Sequence, residues 1–197
     1  MLPTILLASA SPRRAEVLDS LGFPLCVEAM DIDESVADEL PVGERVQRLA
    51  ELKAAAAHER AWTGSGAKPR WILAADTLVS LNDRVFAKAE DRAEAGAMLS
   101  ALAGTTHQVY SGLALIDGVS GAVNSIASCT DVRFAPLSTK EIEAYLDSGE
   151  WRGVAGAYRI QERAAFFVER IEGSFSGVVG LPLREFYVIL GQAAYPL

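Results

Sequence analysis

The stretch "ILLASASPRRAEVL" (residues 5–18) decides the fold. Four apolar residues, Ile5–Ala8, run without a break into a hydroxyl-rich turn, and a short apolar run of this kind reads as a buried strand. Ser11 followed by Pro12 has the order of a helix N-cap and a proline at the first helical position. Ala15, Leu18 and Leu21 recur at i, i+3 and i+6 and give that helix an inner face. Gly22 is its expected stop, with Pro24 just beyond.

The same alternation continues along the chain. A second strand is expected over 25–29, followed by the acidic turn "DIDES" (31–35). A long helix is expected over 43–62, with Val46, Leu49, Ala50, Lys53, Ala54 and Ala57 on one face. "TGSGAKPR" (63–70) reads as a loop. "WILAAD" (71–76) is an apolar strand that ends in a carboxylate, and "LNDR" (81–84) is a hairpin turn. A helix over 91–102 closes at Gly104. Two longer strands follow, over 108–116 and Val123–Phe134. Ser138 and Glu141 have capping-box spacing for a helix to about 147. The glycine-rich "GVAGAYRIQ" (153–161) precedes a strand over 165–171, and "EGSFSGVVGLP" (172–182) leads to a final helix. Strands and helices alternate early and strands cluster in the middle, which is an α/β or α+β pattern with a mixed sheet.

The bulk properties narrow the function. The chain has 197 residues, half of them hydrophobic, enough for one large domain or a two-lobed one with a substantial core. Its formal net charge is −8, with no block of like charges, which argues against a broad basic nucleic-acid groove. A small anion held in one local basic pocket is compatible with that charge. Cys26 and Cys129 lack CxxC spacing and, with His58 and His107, do not make up a usual zinc set. They read as buried or incidental thiols of a reducing compartment. No segment approaches the roughly 18–20 apolar residues of a spanning helix, so a cytoplasmic protein is expected.

The turn after the first strand has the chemistry of an anion site. Backbone N–H groups and the helix dipole favour negative charge at a helix N-terminus. Ser9 and Ser11 add hydroxyls, and Arg13 and Arg14 add guanidinium forks suited to phosphate oxygens. The plainer reading is two capping serines and two solvated arginines. Neither GxxxxGK[ST] nor GxGxxG is present, so neither of those phosphate loops applies. Asp76, at the end of its apolar run, falls where open α/β sheets bind ligands, or else caps a turn. Thr77 beside it offers a hydroxyl. Asp31, Asp33 and Glu34 either form a solvated loop or join Asp76 in holding Mg²⁺. Lys53, flanked by alanines on an apolar face, either snorkels or points into a polar cleft. Lys88 in "FAKAED" and Gln161 in "AYRIQ" each allow a surface or structural reading beside a phosphate- or base-contacting one. Together these groups supply phosphate-binding cations, carboxylates and a recognition amide, an inventory that suits phosphoryl-group chemistry.

"LASASPRR" (7–14), "DIDE" (31–34), "LAELKA" (49–54), "AADTLV" (74–79), "HQVYSGL" (107–113), "AGAYRIQ" (155–161) and "IEGSFSGVVGLPL" (171–183) occur in the order found in the Maf family. The chain resembles that family along essentially its whole length. The resemblance implies nucleoside triphosphate pyrophosphatases, which cut between the α- and β-phosphates with a divalent cation, Mg²⁺ or Mn²⁺. It implies a single Maf-like domain, similar in fold to inosine-triphosphate pyrophosphatases: a long mixed sheet flanked by helices, with two lobes and a central cleft. A homodimer is also implied.

Position by position, the resemblance makes Asp76 the proton acceptor or metal ligand and Glu34 its acidic partner. Ser9, Arg14, Lys53 and Lys88 match the triphosphate-binding set. Arg13, Thr77 and Gln161 match the positions that separate subfamilies. The branch acting on 7-methyl-GTP has tryptophan at the first arginine and "SDQ" where this chain has "ADT". Arg13, Thr77 and Gln161 are the set of the dTTP/UTP branch. Two departures stand out. "GKP" is replaced by Ala87-Lys88-Ala89, which removes glycine freedom and proline rigidity. "YGIQG" is replaced by Tyr158-Arg159-Ile160-Gln161-Glu162, which puts charges on both sides of the recognition glutamine.

Two rival readings remain in the sequence. "DIDES" mimics the DxDx[ST] of haloacid-dehalogenase-type phosphatases, but that chemistry needs its first Asp at the end of a buried strand, and Glu28 interrupts the run before Asp31. The resemblance also carries a link to septum formation, and with it a division-associated binding role.

Overall fold

In the computed structural model, which describes residues 2–66 and 68–197, the chain is a mixed α/β protein. Ala67, in the expected loop 63–70, lies outside the described residues. The strands are β1 (Ile5–Ala8), β2 (Leu25–Val27), β3 (Trp71–Leu81), β4 (Arg84–Phe86), β5 (Thr106–Asp117), β6 (Val123–Phe134) and β7 (Val168–Glu172). The helices are α1 (Pro12–Ser20), α2 (Val42–Thr63), α3 (Arg92–Leu102), α4 (Thr139–Ser148), α5 (Phe175–Val179) and α6 (Leu183–Gln192). Short 3-10 turns lie at Glu34–Ala37 and Arg163–Phe167. The seven strands form one sheet of order β2-β1-β3-β5-β6-β7, with β4 paired to β3. β1 runs parallel to β2 and β3, whereas β3/β4 and β6/β7 are antiparallel, so the sheet is mixed. No helix among the described residues is long and apolar enough to cross a membrane.

The chain divides into two compact units. The first holds the residues up to Asp76, then Ser111–Ser128 and Gly180–Leu197; the second holds Thr77–Tyr110 and Cys129–Val179. In the first unit, the alternation of β1 and β3 side chains splits the core in two. Ile5, Leu7, Trp71, Leu73 and Ala75 pack with α6 residues Phe186, Ile189 and Leu190. Leu6, Ala8, Ile72 and Ala74 pack against Ala50, Ala54 and Ala57 of α2. Gly112 of β5 makes the approach of α2 possible. A Cβ there would lie 2.3 Å from the Val46 carbonyl oxygen, so only glycine fits. In the second unit, α3, α4 and the strands around them bury Leu99, Leu102, Phe134, Tyr145, Trp151 and Tyr158 in one cluster.

Several expectations need correction. Leu21 is not on the inner face of α1; it is half exposed. Gly22 (φ +79°) ends the helix in a Schellman motif, with its N–H on the Asp19 carbonyl and the Phe23 N–H on the Leu18 carbonyl. The chain reverses there and Phe23, not Leu21, enters the core. β3 does not stop at Asp76 but runs on to Leu81, because Leu78 and Val79 continue the buried pattern past the carboxylate. The expected strand over 165–171 begins only at Val168; its front half is the 3-10 turn Arg163–Phe167. Of the two readings of Cys26 and Cys129, buried or incidental thiols, the buried one fails: both are exposed free thiols. The "LNDR" hairpin forms as expected, with Asn82 and Asp83 at φ +51° and +64°, as a two-residue I′ turn requires.

Candidate functional site

In the first unit, the site is built at the carboxyl end of β1. The last β1/β3 pair is Ala8 with Ala74, and β1 then turns away through Ser9. Asp76 therefore sits two residues past the point where its parallel neighbour leaves, although β3 itself continues. Its side chain takes the parity of Ile72 and Ala74, the face covered by α2. Lys53 lies on the inner face of α2 among Ala50, Ala54 and Ala57 and reaches that carboxylate.

One ammonium joins two acids. Lys53 Nζ is 2.6 Å from Asp76 Oδ1 and 2.7 Å from Glu34 Oε1. The Lys53 and Asp76 side chains are 15% and 11% exposed, against 52% for Glu34, so the pair with Asp76 is the desolvated half. Asp76 Oδ2 is buried and takes no hydrogen bond within the protein. Of the acidic turn, only Glu34 joins this cluster. Asp33 accepts from the Ser35 backbone N–H (3.0 Å) and hydroxyl (2.6 Å), and those bonds lower its pKa. Asp31 is exposed.

A second set forms on the turn itself. Ser9, 5% exposed, accepts from the Ser11 N–H (3.2 Å) and from Arg14 Nη1 (2.9 Å). Ser11 occupies the N-cap position of α1, but its side chain makes no cap bond; the hydroxyl at work is that of Ser9. Arg14 Nε donates to the Gly180 carbonyl at 2.8 Å. Burial pulls the Arg14 guanidinium down to about 10, with the Asp76 charge raising it and Arg13 lowering it again, so it stays cationic at neutral pH. Arg13 is half buried beside it.

The remaining candidates belong to the second unit. Lys88 is exposed, and its backbone forms an isolated antiparallel bridge with Ala155. Ala87 and Ala89 keep ordinary negative φ, so the loop needs no glycine at either position. Gln161 is exposed. The charges on either side of it engage each other, Arg159 Nη1 lying 3.4 Å from Glu162 Oε1, while Arg159 Nη2 donates to the Arg152 carbonyl at 3.1 Å. Thr77 is half buried and, by strand alternation, leaves β3 on the face opposite Asp76.

Three contributions escape a reading of the sequence. The Gly180 carbonyl is 166 residues from the arginine it holds, and nothing local marks it. His107 and Tyr158 are buried, with His107 Nε2 2.9 Å from the Tyr158 hydroxyl. Tyr145 uses its hydroxyl to accept the Arg159 backbone N–H at 3.1 Å. Burial drives the His107 pKa down to about 4, against a small opposing pull from Asp131, so its imidazole is neutral at working pH. The one available signal is the histidine that opens "HQVYSGL" on β5.

Two carboxylates do not make a complete metal cage, and no group of three or more His, Cys, Asp or Glu among the described residues could hold an ion. Asp76 and Glu34 nevertheless fit Mg²⁺ or Mn²⁺. Mg²⁺ in particular is held by one or two carboxylates with water and substrate phosphates filling the rest. The orphaned Asp76 Oδ2 is a buried acceptor suited to a cation or a water.

Residues 4–193 match the family model described as Maf-like protein. The dTTP/UTP pyrophosphatase of Treponema denticola is 42% identical over 97% of each chain. The enzyme of the same name from Chromobacterium violaceum is 45% identical over 98% of this chain and 96% of its own. A solved Ham1 protein from Staphylococcus aureus shows 13% identity and a TM-score of 0.36 over 67% of this chain and 72% of its own, a distance at which no residue role transfers.

Proposed function

The chain belongs to the Maf family, and from that premise we propose that it hydrolyses the α–β phosphoanhydride of dTTP and UTP in the cytoplasm, giving the nucleoside monophosphate and pyrophosphate. The observation that carries this reading is the Glu34–Lys53–Asp76 cluster beside the Ser9–Arg14–Gly180 set, which puts carboxylates and oriented cations in one unit. The full-length relatives named dTTP/UTP pyrophosphatase support the choice of substrate.

The chain's own groups supply positioning and charge. The bonds of Arg14 to Ser9 Oγ and the Gly180 carbonyl orient its guanidinium before a phosphate arrives. Lys53, Arg13 and Lys88 add positive charge against the triphosphate. Asp76, with Oδ1 on Lys53, orients the attacking water through Oδ2 and accepts its proton. The water oxygen bonds to the α-phosphorus, the bond to the α–β bridging oxygen breaks, and pyrophosphate leaves with that electron pair. A divalent cation on Asp76 and Glu34 would neutralise phosphate charge and acidify the attacking water. Arg13, Thr77 and Gln161 are the specificity positions, and Gln161 presents its amide to the base.

A panel of canonical and modified nucleoside triphosphates, with pyrophosphate and orthophosphate measured separately, tests this. Pyrophosphate in a 1:1 ratio with monophosphate, fastest from dTTP and UTP, is expected. Orthophosphate alone, or no pyrophosphate from any substrate, overturns it.

A further inference from the structure

Gln161 and Lys88 make no side-chain hydrogen bond or ion pair among the described residues, so nothing at their tips holds them. Their placement must come from the backbone that carries them, and this backbone is tied down on several sides within the second unit. Ala155 bridges to Lys88, and the Gly156 N–H is shared by the carbonyls of Phe86 (3.1 Å) and Ala87 (3.2 Å). Gly156 and Ala157 both have positive φ, +67° and +58°; for alanine this is a strained conformation that the surroundings must enforce. The two residues that follow are held by hydroxyls. The Tyr158 side chain meets His107 of β5, and the Arg159 backbone N–H meets Tyr145 of α4.

We propose that His107, Tyr145 and Tyr158 are positioning residues for nucleotide discrimination: they fix the path of residues 155–161 and thereby the presentation of Gln161. The inference rests on the reading that Gln161 meets the base. Two features single out the hydroxyls. The rings have packing partners of their own, Tyr158 against Phe134 and Tyr145 against Phe167, so they are anchored without hydrogen bonds. The hydroxyls act instead on consecutive residues, one through a side chain and one through a main-chain N–H, three and two positions before Gln161. A core that needed only volume would be served by phenylalanine at both sites. Each buried hydroxyl here has a partner, and each partner belongs to the loop or fixes it.

Tyr145→Phe and Tyr158→Phe remove the hydroxyls and keep the rings. They should raise KM for dTTP about five- to tenfold with kcat within about twofold, the range one lost hydrogen bond supports. The ratio of kcat/KM for dTTP over dGTP should narrow by a similar factor. Amide hydrogen exchange at 158–162 should speed up while α3 amides stay unchanged. Gln161→Ala is the companion variant and should narrow the same ratio. If Gln161→Ala narrows it and neither phenylalanine variant does, the positioning role is overturned and the base-reading role stands. If Gln161→Ala leaves the ratio unchanged, the base-reading role falls and the inference falls with it.

Discussion

Lys53 and Arg14 of the first unit have partners at their charged ends, whereas Lys88 and Gln161 of the second have exposed side chains on a braced backbone. Lys53 is locked between two carboxylates, and Arg14 between a hydroxyl and a carbonyl. Lys88 and Gln161 have exposed side chains and a backbone held from behind. The contrast separates two ways of preparing a site. Buried charges need partners before substrate arrives, because an unpaired charge away from water is costly, and those partners also orient them. Exposed groups need no partner, so their precision comes from the main chain.

The largest test of this contrast is kinetic. Asp76→Asn should lower kcat for pyrophosphate release by about 10²–10⁴-fold, the usual worth of general-base help. Lys88→Ala should instead act mainly on KM. Steady-state kinetics on the two variants would break the comparison if both moved the same parameter.

The next effect concerns the brace. The His107 pKa is about 4 in the folded chain against a usual 6.5, so the unfolded chain binds more protons between those values. Stability attached to neutral His107 is therefore complete above pH 6.5 and is lost as pH falls toward 4, by up to about 3 kcal/mol. Urea midpoints at pH 7 and pH 5 should differ, and the difference should shrink in His107→Gln. An unchanged difference would show that the histidine has no such part.

Smaller again is the effect of moving α2 in the first unit. Gly112→Ala would push a methyl against the Val46 backbone and cost about 1–3 kcal/mol. Because α2 carries Lys53, kcat should fall while the preference between bases stays the same. A shifted preference in a folded Gly112→Ala protein would blur the separation between the units.

Legibility in the sequence followed the range of the physics. The inner face of α2, Lys53 included, could be read because helical period is local. The Ser138–Glu141 capping box and the "LNDR" hairpin could be read because their chemistry spans a few residues. Asp76 reads from the sequence as a strand end, since a carboxylate inside a buried strand contradicts the apolar pattern unless its partner is known. That partner, Lys53, is 23 residues away. The front of the last strand is not legible because Phe166 and Phe167 have strand propensity, yet the chain turns there and leaves Phe166 almost wholly exposed. The contacts of Gly180, Tyr145 and Tyr158 could not be read because they depend on the tertiary fold.

The bond from Arg14 to the Gly180 carbonyl also bears on how the protein comes into being. Ser9, Arg14, Glu34, Lys53 and Asp76 leave the ribosome long before residue 180 is made. Until then Arg14 lacks its bond to the Gly180 carbonyl and β1 lacks the α6 residues that cover one of its faces. A chain halted short of that glycine carries all five of those residues but lacks the Gly180 bond that helps orient its arginine. The turn after β1, among the first segments translated, is among the last to be finished.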